Sequence, residues 1–136
     1  MKKFRILPHT ADIRIYVIAN SYGKLFETSL EALCSILYVN KEKFPHDYRI
    51  NIAIKSIDVT SLLIDFLNEA LTIMYQNKII LNAVTFDELT VRTCKAELSG
   101  FKVDNFDEDI KAVTYNDAEI REVSINNYEI VITLDI

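Results

Sequence analysis

Apolar residues recur along this chain in two rhythms, and the change from one to the other marks out the elements. Residues 4–7 read as a short strand. Residues 12–19 read as a second, with Ile13, Ile15, Val17 and Ala19 alternating onto one face. Ser21 then stands where an N-cap is wanted. Beyond it Tyr22, Leu25, Phe26, Leu30, Leu33, Ile36 and Leu37 fall at the three-and-four spacing of an amphipathic helix. A charged stretch over residues 41–48, with Pro45 inside it, interrupts the pattern. Tyr48, Ile50, Ile52 and Ile54 then alternate with polar neighbours, as a half-buried strand does. A second helix starts at Asp58 or Thr60, its stripe running through Leu63, Phe66, Leu67, Ala70, Leu71 and Met74. From Ile79 the period of two persists, predicting strands over 79–86, 89–99, 109–115, 119–126 and 128–136, with Asn126-Asn127 as a tight turn before the last. The predicted architecture is an α+β single domain over residues 1–136, in two layers, with two amphipathic helices packed on a largely antiparallel sheet. A doubly wound nucleotide fold is disfavoured, because helices and strands do not alternate in the second half.

Composition narrows this picture. A chain of 136 residues is expected to form one domain burying roughly two thirds of its unfolded surface. It has two Gly and two Pro, so its turns must lean on Asn and Asp, which tolerate the left-handed region better than most residues. No apolar run approaches the ~20 residues needed to cross a bilayer. The basic opening Met1-Lys2-Lys3-Phe4-Arg5 is not followed by a signal-peptide pattern, so the cytoplasm is the expected location and no membrane partner is expected. Cys34 and Cys94 lie in apolar patterns with no CxxC spacing, which predicts two buried thiols. The net charge is −5 and the basic residues are scattered, so tight direct nucleic-acid binding is not expected; affinity for phosphate backbone comes from clustered Lys and Arg.

Most catalytic signatures are missing: no Gly-rich phosphate loop, no GxSxG, no HExxH. Of the two histidines, His46 sits between Pro45 and Asp47 in the charged stretch and reads as a solvated surface residue. His9 and Asp12 differ, lying where the chain enters a strand. By alternation Asp12 shares a strand face with Arg14 and Tyr16, and Asp135 shares one with Glu129 and Thr133. Taken singly, each aspartate reads as an exposed acid at a strand end. If the last strand lies near the Asp12 loop, however, Asp12, Asp135 and the carboxylate of Ile136 bring three anionic oxygens together. Such groups repel unless a cation joins them, and all-oxygen ligation suits Ca²⁺, Mg²⁺ or Mn²⁺. His9 would be a further ligand or would orient Asp12. A second acidic run, Asp104, Asp107, Glu108 and Asp109, lacks EF-hand spacing and reads as a solvated loop. Lys111 after it reads as a surface lysine, paired with a neighbouring acid or with a carboxylate of a partner.

Five segments, in order, resemble the archease family. Residues 8–13 (PHTADI) look like its HTAD segment, and Phe26-Glu27, Leu30 and Ala32 resemble its first helix. Residues 62–69 (LLIDFLNE) resemble its second helix, residues 111–115 (KAVTY) a strand, and Leu134-Asp135-Ile136 its terminal LDI. The resemblance implies an α+β fold and a divalent metal held by Asp12, Asp135 and Ile136, with His9 beside them. It also implies a role as protein cofactor of the GTP-dependent tRNA-splicing ligase. The family promotes guanylylation of the ligase's active-site histidine and its multiple turnover. That ligase joins a 2′,3′-cyclic or 3′-phosphate RNA end to a 5′-hydroxyl end. The chain itself is then an activator and not an enzyme, with Lys111 as a partner contact. Two positions depart from the pattern: Asn116 stands where the family usually has His, and Phe101-Lys102-Val103 follows Gly100 where Glu is common. The rival readings are a metal-dependent phosphoesterase using His9, Asp12 and Asp135, and a metal-free chaperone-like scaffold.

Overall fold

The computed structural model describes residues 3–7, 12–40 and 42–136. In chain order the elements are β1 (Lys3–Leu7), β2 (Asp12–Ala19), α1 (Tyr22–Leu37), β3 (Tyr48–Lys55), α2 (Val59–Asn77), β4 (Ile79–Leu89), β5 (Thr93–Lys102), β6 (Ala112–Thr114), β7 (Arg121–Ser124) and β8 (Asn127–Asp135). Every strand pairing is antiparallel, and the α+β class is as the patterning predicts. The strands divide into two sheets, however. One is five-stranded in the order β1-β2-β8-β6, with β7 also on β8, and the other is three-stranded in the order β3-β5-β4.

Both helices begin where capping chemistry says they should. Ser21 accepts the amide of Lys24 at 3.1 Å and Asp58 that of Ser61 at 2.7 Å, each satisfying an amide with no partner inside the helix. Asp58 is therefore the cap of α2, and Thr60 lies inside the helix, where its Oγ1 accepts the amide of Ile120 at 3.0 Å. Each helix touches both sheets: α1 meets β1, β2 and β8 as well as β4, and α2 meets β6 as well as β3, β4 and β5. That double coverage explains why burial exceeds a single stripe. Thr28, Ser29, Ala32 and Cys34 are buried along with the expected positions of α1 other than the half-buried Tyr22, and Leu62 and Ile64 along with those of α2. The core is one cluster running from Ile13 to Leu134. Phe26, Phe66 and Phe86 meet within it at ring separations of 5.5, 6.0 and 6.1 Å, tying α1, α2 and β4 together.

Several boundaries differ from those read off the sequence, each for a local reason. The break expected at Asp87-Glu88 is a bulge within β4, and the turn falls at Thr90–Thr93, where Thr90 Oγ1 accepts the amides of Arg92 and Thr93. The β7–β8 turn is Ile125-Asn126, with Asn126 at φ 59°, and Asn127 already belongs to β8. The strand expected over 109–115 shrinks to Ala112–Thr114, because the amide of Ile110 is taken by Tyr75 Oη at 2.7 Å. The charged stretch before β3 is not wholly solvated: the Phe44 ring packs 4.9 Å from that of Phe101. Gly100 marks a close approach of β5 to the bulge in β4. A Cβ there would lie 1.6 Å from the Ile80 carbonyl oxygen, so no other residue fits without parting the strands.

Candidate metal and partner site

Asp12 opens β2 and Asp135 closes β8. The antiparallel register sets them directly opposite one another, and Asp135 is also opposite Ala112 on β6. Directly opposed residues point to the same face of a sheet, their Cβ atoms about 5 Å apart. Ile13, Ile15 and Val17 on β2, and Ile130, Ile132 and Leu134 on β8, are buried toward the helices. The two carboxylates therefore stand on the outer face, Asp12 half-buried and Asp135 exposed. Ile136 is half-buried and packs against the core. His9 lies outside the described residues.

The segments that looked separate in sequence are joined by hydrogen bonds at this end of the sheet. The amide of Lys111 donates to the Asp135 carbonyl at 2.7 Å. Asn68, on α2, donates from Nδ2 to the Val113 carbonyl at 2.8 Å and accepts the Val113 amide at Oδ1, also at 2.8 Å. Its carboxamide thus imitates a neighbouring strand and closes the free edge of β6. One residue pair further, Tyr115 Oη donates to Asp65 Oδ1 and Ser56 Oγ to Asp65 Oδ2, so β6, α2 and the end of β3 share one network. That hydrogen bond to Asp65, with some burial, raises the Tyr115 phenol above its ordinary pKa. Neither Asn68 nor Asp65 was assigned a role from sequence. The signal was an Asn in mid-helix, a weak helix former unless its side chain has other work.

The outer face carries a second group of contacts. Tyr16 donates to Glu129 Oε1 at 2.9 Å, and the Arg5 guanidinium lies 5.0 Å from the centre of the Tyr16 ring. Burial chiefly, and then the bond to Glu129, raises the Tyr16 phenol. Arg14 and Lys111 are both exposed, and among the described residues neither side chain has an ion-pair partner.

The other candidates take structural roles. His46 is exposed, its ring facing that of Phe101. Asp107, in the second acidic run, accepts the Val39 amide at 2.7 Å and gives its own amide to the Leu37 carbonyl at 2.8 Å, finishing the end of α1. Cys34 and Cys94 are buried free thiols, and burial raises the pKa of both, Cys94 to about 11. Neither supplies a thiolate to the Asp12–Asp135 end, where the two carboxylates among the described residues offer oxygen, the donor that suits a hard divalent cation. Among the described residues no three His, Cys, Asp or Glu side chains gather tightly enough to hold a metal. Also among the described residues, no helix is long and apolar enough to cross a membrane.

The chain matches the archease protein family (MTH1598/TM1083) over residues 4–136. It is 30% identical over 131 residues to protein archease of Methanosarcina barkeri, the match covering 90% of this chain and 89% of that one. Protein archease of Methanosarcina mazei is 28% identical over the same coverage. In fold the chain is similar to the solution structure of Methanobacterium thermoautotrophicum protein 1598, with a TM-score of 0.75, 21% identity and 98% of each chain covered. It is also similar to the crystal structure of an archease, described as a possible chaperone, from Thermotoga maritima. There the TM-score is 0.67 and the identity 15%, covering 96% of this chain and 94% of that one. On the family match, which spans almost its whole length, this chain belongs to the archease family.

Proposed function

We propose that this chain is a metal-binding protein cofactor of the GTP-dependent RNA-splicing ligase, promoting ligase guanylylation and repeated turnover in tRNA splicing or RNA repair. The observation that carries the reading is the opposition of Asp12 and Asp135 across β2 and β8, in a member of the archease family. Like charges directly opposite one another destabilise a sheet, so the arrangement gains by holding a cation. Asp12, Asp135 and a main-chain oxygen of Ile136 are the proposed ligands for Ca²⁺, Mg²⁺ or Mn²⁺, with His9 orienting Asp12.

Such an ion supplies the positive charge that phosphoryl transfer requires. The chain's own residues supply its position. Asn68 fixes β6 and the Lys111 amide fixes the Asp135 carbonyl; the exposed Lys111 side chain is the proposed contact for a carboxylate of the ligase. Because the two aspartates stand at one end of an outer sheet face, the ion can be presented to a partner's nucleotide pocket, where no enclosed cavity of this chain is required.

The test is guanylylation of the cognate ligase under multiple-turnover conditions with wild-type protein, Asp12→Ala and Asp135→Ala. Wild type should stimulate and the folded variants should not; full stimulation by either variant refutes the reading. The description of the Thermotoga maritima relative as a possible chaperone favours a second reading, a metal-free scaffold. That one predicts a stability indifferent to EDTA. A phosphoesterase has less support, since two-metal hydrolases use more ligating side chains than the pair of aspartates brought together here.

A further inference from the structure

Arg14 is the charged residue of the outer face that the metal reading leaves without a task. Alternation puts it on the same face as Asp12, two residues along β2. The register sets it opposite Thr133, one row from Asp135. Three other arginines are engaged, Arg5 over the Tyr16 ring, Arg49 with Glu97 and Arg121 with Glu119, while Arg92 lies in the exposed turn between β4 and β5, in the other sheet. The Arg14 guanidinium is exposed and, among the described residues, has no hydrogen bond, ion pair or ring contact, although two carboxylates stand one row away.

A cation next to a cation site opposes metal binding unless an anion completes the arrangement. With a divalent ion balancing Asp12 and Asp135, Arg14 and Lys111 leave a local excess of positive charge. The ion, resting on three protein oxygens, keeps open positions, since Mg²⁺ takes six oxygens and Ca²⁺ up to eight. Sites of one or two carboxylates on Mg²⁺ are commonly filled out by phosphate oxygens. The planar guanidinium fork matches phosphate in the same way.

We infer that Arg14 binds a phosphate oxygen of a metal-chelated polyphosphate, of the nucleoside triphosphate class, seated on the ion at Asp12 and Asp135. This rests on the metal reading above. The alternative role for Arg14 is simple charge compensation of the two aspartates, and the two roles differ in a measurable sign.

The experiment uses the intact chain, Mn²⁺ and inorganic tripolyphosphate. Mn²⁺ binding is measured first by calorimetry for wild type, Arg14→Gln and Arg14→Lys; tripolyphosphate is then titrated into each Mn²⁺-loaded protein. Arg14→Gln should keep the thermal midpoint, since among the described residues its guanidinium makes no hydrogen bond, ion pair or ring contact, and should bind Mn²⁺ as tightly as wild type or more so. It should bind tripolyphosphate about tenfold more weakly, the loss expected for a charge-assisted hydrogen bond, with Arg14→Lys between. Equal tripolyphosphate affinity in wild type and Arg14→Gln overturns the inference and leaves the metal site standing. So does tripolyphosphate that only strips Mn²⁺ from the protein. A wild type that binds no Mn²⁺ takes down the metal reading and the inference together.

Discussion

Replacing Asp12 by Asn should make the protein more stable without metal and less stable with it. The carboxylates of Asp12 and Asp135 are opposed across β2 and β8, with Asp12 half-buried. A like-charge pair in that position costs a sheet up to ~1 kcal/mol relative to a neutral one. Asn keeps the shape and removes the charge, so in EDTA and low salt Asp12→Asn should gain about 0.5–1 kcal/mol. Raising ionic strength should shrink that gain, because the repulsion between partly exposed groups is screened. Divalent metal reverses the order. An ion present at a hundred times its dissociation constant stabilises the wild type by about 2.7 kcal/mol, and the variant, having lost a ligand, should gain little. The net inversion is about 2 kcal/mol. Urea unfolding of both proteins, in EDTA and in saturating Mn²⁺ or Ca²⁺, measures it directly. A variant no more stable than wild type in EDTA and equally stabilised by metal would refute both the repulsion and its relief.

Three further outcomes follow from the geometry. Asn68→Ala leaves the amide and carbonyl of buried Val113 without partners, at about 1–3 kcal/mol each; urea unfolding should show a loss of about 2–4 kcal/mol, and a change under 0.5 kcal/mol would mean that water replaces the clamp. Gly100→Ala drives a methyl into the Ile80 carbonyl and should cost about 3 kcal/mol or more, against a near-neutral Gly23→Ala, whose Cβ would meet nothing nearer than 4.0 Å. The phenols of Tyr16 and Tyr75, raised mainly by burial, and of Tyr115, raised mainly by Asp65, favour the protonated form in the folded state. Their contribution is fully present below the unfolded value of about 10 and is lost as pH rises through the higher folded values. Urea midpoints should therefore fall as pH rises above about 10, and less steeply in a Tyr16→Phe, Tyr115→Phe double variant.

Local chemistry was legible in the sequence, and pairing was not. Ser21 announces α1, the face assignment of Asp12 and Asp135 follows from alternation alone, and the apolar period separates helices from strands. None of this says which strands are neighbours. Residues 48–55 read as a strand, but nothing local shows that β3 joins β5 and β4 in a sheet of its own, leaving β2 to pair with β8 at the far end of the chain. Turn positions differ from the pattern where acidic or amide residues lie within an element and do not end it. Asp87-Glu88 is absorbed as a bulge, while the hydroxyl of Thr90 makes the turn that a sequence poor in glycine needed elsewhere. The Asn68 clamp was hidden because its partner is backbone, which carries no sequence signature.

β8 is the last element of the chain and yet the hub of the five-stranded sheet, since β2, β6 and β7 all pair with it. During synthesis the three-stranded sheet has all its strands by Lys102, whereas β2, made before any of them, waits for its partner until β8 emerges. Pairings so distant in sequence are slow to close. The Asp12–Asp135 pairing is therefore among the late ones to close, and it exists only once β8 has docked on β2. A register slip of one residue would send Asp135 to the buried face and remove the pair as completely as truncation does. Whatever needs both carboxylates on one face therefore reads the register of two strands that lie far apart in sequence.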